Sequence, residues 1–166
     1  MNLSKLSRQV GERLRGQGLL LTTAESCTGG WIAKCITDVP GSSSWFDRGF
    51  VTYSNAAKME MLGVRAETLG RFGAVSEATV REMAAGALAR SRARVAVAVS
   101  GIAGPSGGTP DKPVGSVWLA WQMKGQAPVA RWYHFDGDRE AVRRQAVTAA
   151  LQGIIGICDR VSPAPD

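Results

Sequence analysis

The chain has 166 residues, of which 45% are hydrophobic and 20% are charged. This size and composition predict one globular domain over residues 1–160 with a mobile tail over 161–166, and they exclude extensive disorder. One histidine and three cysteines, with no Cys-x-x-Cys pair, argue against a metal site. No apolar run approaches the ~20 residues of a membrane span. We therefore predict no metal, no cofactor and no membrane partner.

The formal net charge of +6 and a pI of about 9.7 favour an anionic partner. The basic residues are spread along helical segments instead of forming one tract, which argues against a nucleic-acid partner and leaves a solvated basic surface as the simpler interpretation. An odd number of cysteines, without a recognisable signal peptide, indicates a reducing compartment, so we expect a cytoplasmic protein.

The hydrophobic spacing predicts alternating helices and strands. In chain order these are a helix over 3–17, a strand over 19–23, a helix from residue 31, a strand over 46–53, a helix from the Ser54 cap to Gly63, and helices near 67–71 and 77–91. A strand over 94–99, a glycine-rich loop over 100–113, a hairpin with strands over 114–123 and 129–135, and a helix over 139–158 follow. This order predicts a three-layer α/β/α sandwich on a mixed sheet.

Ser26 lies between a predicted buried strand and the next helix. Unpaired N–H groups at a helix N-terminus can bind a phosphate or an oxyanion, which makes Thr28, Gly29 and Gly30 candidate donors. The competing interpretation is that Ser26 and Thr28 only cap the helix. Cys27 is a rival nucleophile, because a helix N-terminus lowers the pKa of a thiol.

A serine nucleophile needs a base. His134 lies on a predicted strand, where a lone histidine is more typical of surface or core. Lys58 is the better candidate, since a desolvated lysine loses its proton more easily, and the spacing allows Tyr53 to face the same crevice. A solvated helix lysine is the simpler alternative for Lys58.

Two further segments are candidate binding elements. The loop over 100–113 can bring its N–H groups against a phosphate or ribose, or act as a lid or a subunit contact. Arg139 and Arg143 lie one turn apart on the last helix and suit a phosphate or carboxylate, unless they form a solvated helix face. The candidate loop residues are Ser100, Gly101, Gly104, Gly107 and Gly108.

Several of these segments together resemble the CinA C-terminal domain family. The motifs are Ala-Glu-Ser-Cys-Thr-Gly-Gly at 24–30, Pro-Gly-Ser-Ser at 40–43, Val-Thr-Tyr-Ser-Asn-Ala-Ala-Lys at 51–58, Gly-Ala-Val-Ser at 73–76, Ser-Gly-Ile-Ala-Gly-Pro-Ser-Gly-Gly-Thr at 100–109 and Lys-Pro-Val-Gly at 112–115. They occur in family order and span about residues 5–158. The resemblance implies an α/β/α sandwich and a homo-oligomer.

The stand-alone members of this family look like nicotinamide-nucleotide amidases. The resemblance therefore implies a phosphorylated nucleotide substrate, nicotinamide mononucleotide, that is hydrolysed to nicotinate mononucleotide and ammonia in NAD salvage. It places the family's serine nucleophile at Ser26, its lysine base at Lys58 and its tyrosine, relaying or positioning, at Tyr53. The alternative function is a non-catalytic basic module of a competence- or DNA-damage-associated protein.

Overall fold

A computed structural model describes residues 2–160, and the tail predicted over 161–166 lies outside them. The helices are α1 (Leu3–Gln17), α2 (Trp31–Thr37), α3 (Asn55–Leu62), α4 (Ala66–Phe72), α5 (Glu77–Ala89) and α6 (Arg139–Arg160), with one 3-10 turn at Ser42–Ser44. The strands are β1 (Leu21–Glu25), β2 (Phe46–Val51), β3 (Val95–Gly101), β4 (Ser116–Met123) and β5 (Val129–His134). No helix within this part of the chain is both long and apolar enough to cross a membrane.

The five strands form one mixed sheet in the order β2-β1-β3-β4-β5. The first three strands are parallel, with Thr23 facing Gly49 on one side and Val97 on the other, and β4 and β5 are antiparallel. Strand β3 is buried almost throughout, as expected for a strand covered on both faces. The prediction of an α/β sandwich on a mixed sheet is confirmed.

The two faces of the sheet carry different cores. Helices α1, α2 and α6 cover one face with large aliphatic side chains, among them Leu14, Ile36 and Leu151. Helices α3, α4 and α5 cover the other face, where the buried strand residues are mainly alanines such as Ala96 and Ala98. Small side chains let a helix approach the sheet closely, so α5 lies near the strands and α3 packs against α5.

Gly86 fixes the distance between α5 and α3. A Cβ atom at this position would collide with the backbone carbonyl of Leu62, the last residue of α3. Since Lys58 lies one turn before Leu62, this close approach also sets where the lysine enters the protein.

The first strand starts later than the sequence predicts. The prediction placed it over 19–23, but the structure places β1 at Leu21–Glu25. The Leu19 N–H instead donates to the Leu14 carbonyl and completes the end of α1, so the strand begins two residues later than predicted. The predicted strands over 46–53 and 114–123 also differ, since β2 ends at Val51 and β4 begins at Ser116.

Candidate active site

A crevice opens at the carboxyl edge of the parallel strands. Strand β1 continues into α2 on one face of the sheet, and β2 continues into α3 on the opposite face. Adjacent strands whose following helices diverge in this way leave a crevice at their carboxyl ends, which is the usual ligand site of open α/β sheets. The segments after β1 and β2 carry Ser26 and Lys58.

Ser26 and Lys58 meet in this crevice. The Ser26 N–H donates to the Val99 carbonyl at 3.0 Å, which ties the residue to the end of the sheet. The Lys58 Nζ atom lies 3.0 Å from Ser26 Oγ and donates to the Tyr53 carbonyl at 3.2 Å. Ser26 Oγ lies 3.4 Å from the same carbonyl oxygen. The serine hydroxyl, the lysine amine and one backbone carbonyl therefore form a compact polar cluster.

Burial makes the Lys58 amine an available base. The residue is 1% exposed, and no carboxylate among residues 2–160 forms an ion pair with it. Loss of hydration lowers the pKa of Lys58 below its ordinary value, and the neighbouring Cys27 opposes this only in part. A lysine with a lowered pKa is neutral in a larger fraction of molecules and can take the proton of a nearby hydroxyl.

A cavity of about 350 Å³ surrounds the cluster. The predicted residues Ser100, Gly101, Gly104, Gly107 and Arg139 all line it, together with Ser26, Tyr53 and Lys58. Several other lining residues are not among the predicted site residues, namely Asn55, Ala74, Val75, Ile102, Ala103 and Ser106. The structure thus brings the segments after β1, β2 and β3 together around one space.

Arg139 closes one side of this cavity. Its guanidinium group donates to the Gly104 carbonyl at 2.8 Å and to the Tyr53 hydroxyl at 3.1 Å. The phenol of Tyr53 therefore contacts an arginine at the mouth, while the backbone carbonyl of the same residue contacts the lysine. Lys112 anchors the other end of the 100–113 loop by donating to the Phe72 carbonyl at 2.5 Å.

Thr28, Gly29, Gly30, Gly108 and Arg143 do not line the cavity. The Thr28 hydroxyl is turned inward to a buried carboxylate, and the Gly29 N–H donates to the Ser26 carbonyl at 3.0 Å. Arg143 donates to the Cys27 and Thr28 carbonyls at 3.0 and 3.2 Å and packs on the ring of Trp31. These contacts stabilise the turn after β1 on the side that faces away from the cavity.

The buried carboxylate that contacts Thr28 belongs to Glu25, which is not among the predicted site residues. Its oxygens accept from the Thr28 hydroxyl at 2.6 Å, the Ile32 N–H at 2.8 Å and the Ala33 N–H at 3.0 Å. The N-terminus of α2 therefore already holds an anion from its own chain. The predicted strand over 19–23 left Glu25 in a loop, whereas the observed register buries it.

The structure argues against the two rival catalytic groups. Burial, reinforced by the charge of Glu25, raises the pKa of Cys27 to about 12, so its thiol stays protonated near neutral pH. His134 lies outside the cavity lining, and its Nε2 atom is 3.1 Å from the Val114 carbonyl.

Comparison with known proteins identifies the class. Residues 3–158 match the CinA C-terminal domain, and the chain belongs to that family. It is 60% identical over 150 residues to nicotinamide-nucleotide amidohydrolase PncC of Escherichia coli K12, covering 90% of this chain and 91% of the relative. The Pseudomonas putida protein of the same name is 57% identical, covering 92% and 95%.

A solved structure shows the same fold. The competence damage-inducible protein A of Klebsiella pneumoniae superposes with a TM-score of 0.94 at 42% identity, covering 98% of this chain and all of the other. Fold and family therefore agree over almost the whole chain.

Proposed function

We propose that this chain is a nicotinamide-nucleotide amidohydrolase that converts nicotinamide mononucleotide to nicotinate mononucleotide and ammonia. The observation that carries the proposal is the 3.0 Å contact between a buried lysine amine and a serine hydroxyl inside a ligand-sized cavity. The relatives named nicotinamide-nucleotide amidohydrolase indicate the substrate. Amide hydrolysis at neutral pH requires an activated nucleophile, and a serine–lysine pair provides one.

The proposed reaction starts with proton transfer from Ser26 Oγ to neutral Lys58. The alkoxide attacks the carboxamide carbon and forms a tetrahedral oxyanion. The Lys58 ammonium then gives its proton to the amide nitrogen, and the C–N bond breaks. Ammonia departs, and the acyl group stays attached to Ser26 Oγ as an acyl-enzyme. Water, deprotonated by the same lysine, attacks the acyl carbon. The bond between that carbon and Ser26 Oγ then breaks, the Lys58 ammonium returns its proton to Ser26 Oγ, and the product leaves as the carboxylic acid, which ionises in water.

The oxyanion needs backbone donors that face the cavity. Thr28, Gly29 and Gly30 do not line it, and Glu25 occupies the first amides of α2. We propose the N–H of Cys27 instead, which directly follows the nucleophile and donates to no backbone carbonyl within residues 2–160. The amide after the nucleophile has this role in other serine hydrolases.

The phosphate of the substrate is proposed to bind at the outer part of the cavity. Arg139 supplies a guanidinium group there, and Gly104 and Gly107 bring loop backbone to the same space. A guanidinium group together with backbone N–H groups is a common way to hold a phosphate. Nothing in the arrangement requires a cofactor for the proposed reaction.

The cellular setting remains part of the proposal. We propose a cytoplasmic enzyme of NAD salvage, supported by three cysteines that are all unpaired and buried. The homo-oligomer implied by the family resemblance is testable by light scattering of the purified chain. The non-catalytic alternative leaves the serine–lysine contact unexplained.

The test is ammonia release from nicotinamide mononucleotide by the wild type and by Ser26→Ala. We expect a loss of about 10⁴-fold or more in kcat for the variant, since the nucleophile and its base act as a unit. Ser7→Ala is a matched control, because Ser7 is also buried but lies on α1 and donates to the Leu3 carbonyl. An inactive wild type, or a fully active Ser26→Ala variant, would refute the proposed function.

A further inference from the structure

Glu25 is a buried charge directly before the proposed nucleophile. It is 0% exposed, and no basic side chain among residues 2–160 forms an ion pair with it. Its carboxylate is held instead by three donors, the Thr28 hydroxyl and two amides in the first turn of α2. The cavity lining does not include Glu25, so its carboxylate lies outside the space proposed for the substrate.

The three contacts close the Ser26 turn into a ring. Glu25 is the last residue of β1, and its partners lie three, seven and eight residues further along the chain, beyond Ser26. The backbone of Glu25 is fixed as well, because its carbonyl accepts from the Thr52 N–H at 2.8 Å. The strand, the turn and the helix are therefore joined by one side chain, and Ser26 lies inside the segment that it closes.

The contacts of Glu25 affect Ser26 because the two side chains point in opposite directions from adjacent positions. Neighbouring residues of a strand point to opposite faces, so Glu25 points toward α2 while Ser26 points toward Lys58 on α3. Anchoring the Glu25 side chain therefore fixes the direction in which the Ser26 side chain points. Displacement of a reacting group by about 1 Å can cost about 100-fold in rate.

From this geometry we propose that Glu25 is a positioning residue for Ser26. Its carboxylate holds the turn so that Ser26 Oγ stays beside Lys58 Nζ, and a side chain with fewer acceptors lets the turn relax. The proposal rests on the proposed function only in taking Ser26 as the nucleophile, and it is independent of the identity of the substrate.

Glu25→Gln is the central variant, and Glu25→Asp is the second. The glutamine amide can accept from the Thr28 hydroxyl and one helix N–H, but its NH₂ group faces the remaining N–H as a second donor. The aspartate keeps the charge with a shorter reach. Thr22→Val is the matched control, since Thr22 is equally buried in β1 and donates to the Arg48 carbonyl at 2.8 Å, away from the cavity.

The readout is the rate of covalent labelling of Ser26 by a fluorophosphonate, followed by intact-protein mass across a pH range. We expect Glu25→Gln to slow labelling about 100-fold at every pH and to lower kcat with KM within about twofold. Glu25→Asp should fall between Glu25→Gln and the wild type. Thr22→Val should label at the wild-type rate even if its Tm falls.

Several outcomes would overturn the proposal. These are wild-type labelling of Glu25→Gln, equal slowing in Thr22→Val, and failure of both Glu25 variants to fold, which would assign the residue a purely structural role. A wild type that labels on Ser26 but does not hydrolyse nicotinamide mononucleotide would remove the proposed substrate and leave the Glu25 test intact. A wild type that does not label at all would remove both proposals.

Discussion

The candidate active site has an inner and an outer part that are built in opposite ways. In the inner part, Ser26 and Lys58 are 7% and 1% exposed, and a main-chain carbonyl contacts both. In the outer part, Tyr53 is 62% exposed and its hydroxyl accepts from Arg139, which also donates to the Gly104 carbonyl at the mouth of the cavity. On the proposed function, this difference assigns proton transfer to the inner part and substrate recognition to the outer part. Substitutions in the inner part should lower kcat, and those in the outer part should raise KM.

After Ser26→Ala, the largest effect is expected for Lys58→Met, which removes the proposed base and keeps a side chain of similar length. We expect kcat to fall about 10³-fold or more. Because the pKa of Lys58 is lowered, the neutral base forms as pH rises, so wild-type kcat/KM should increase with pH through that pKa and then level off. The variant should lack this increase. Lys34→Met is the control, since Lys34 is exposed and pairs with Asp38.

The same substitution should change stability in the opposite direction. The unfolded chain binds a proton at Lys58 more readily than the folded chain, so wild-type stability rises with pH between the folded and unfolded pKa values. Lys58→Met should abolish that rise and raise Tm near neutral pH by about 2–4 °C, equivalent to about 1 kcal/mol. A lower Tm together with full activity would contradict the inner-part assignment.

The next effect is expected for Arg139→Met, which removes the cation at the mouth. We expect KM for nicotinamide mononucleotide to rise about 10–100-fold with kcat within about threefold, the range for losing a charge-assisted contact. Turnover of nicotinamide riboside, which lacks the phosphate, should be unchanged by the substitution. Arg144→Met is the control, because Arg144 lies on the same helix outside the cavity. A fall in kcat alone would place Arg139 in the chemical step.

A smaller effect is expected for Tyr53→Phe. The substitution removes the hydroxyl that accepts from Arg139 and leaves the backbone carbonyl that contacts Lys58. We expect kcat within about threefold and a KM increase below about tenfold, since a neutral hydrogen-bond partner contributes about 1 kcal/mol. If kcat dropped about 100-fold, the phenol would have to relay a proton, as the family resemblance also allows.

The smallest effect is expected for Cys27→Ala. A thiol with a pKa near 12 contributes no thiolate near neutral pH, so activity should stay within about twofold of the wild type. The backbone N–H of residue 27 is retained in this variant, which leaves the proposed oxyanion donor in place. Loss of activity on thiol alkylation of the wild type, but not of Cys27→Ala, would revive the cysteine as nucleophile.

Local signals in the sequence predict the order of the elements, whereas the pairing of Ser26 with Lys58, 32 residues apart, follows only from the family resemblance. Helix caps at Ser54 and Ser76 place α3 and α5, and each serine side chain accepts from the amide three residues on. The conversion of a helix lysine into a buried base depends on how α3 packs against α5 and the sheet. Spacing alone therefore could not decide between the solvated and the buried lysine.

The contacts that the sequence does not predict are those of individual side chains. Local patterns do not show that the Glu25 side chain fills the N-terminus of α2, where it accepts from the Ile32 and Ala33 amides. Strand β1 ends two residues later than predicted and includes Glu25, which is buried. Likewise, Arg143 and Arg139 share a helix face in sequence, but only the second reaches the cavity, because the first is held by the carbonyls behind the Ser26 turn.

The contact of Lys58 with the carbonyl of Tyr53, instead of with its side chain, has a practical consequence. A main-chain oxygen is present whatever amino acid occupies the position, so residue 53 can be replaced without removing a partner of the base. Its side chain, meanwhile, lies at the mouth of the cavity. Position 53 is therefore a natural site for saturation mutagenesis aimed at accepting bulkier or differently charged amides.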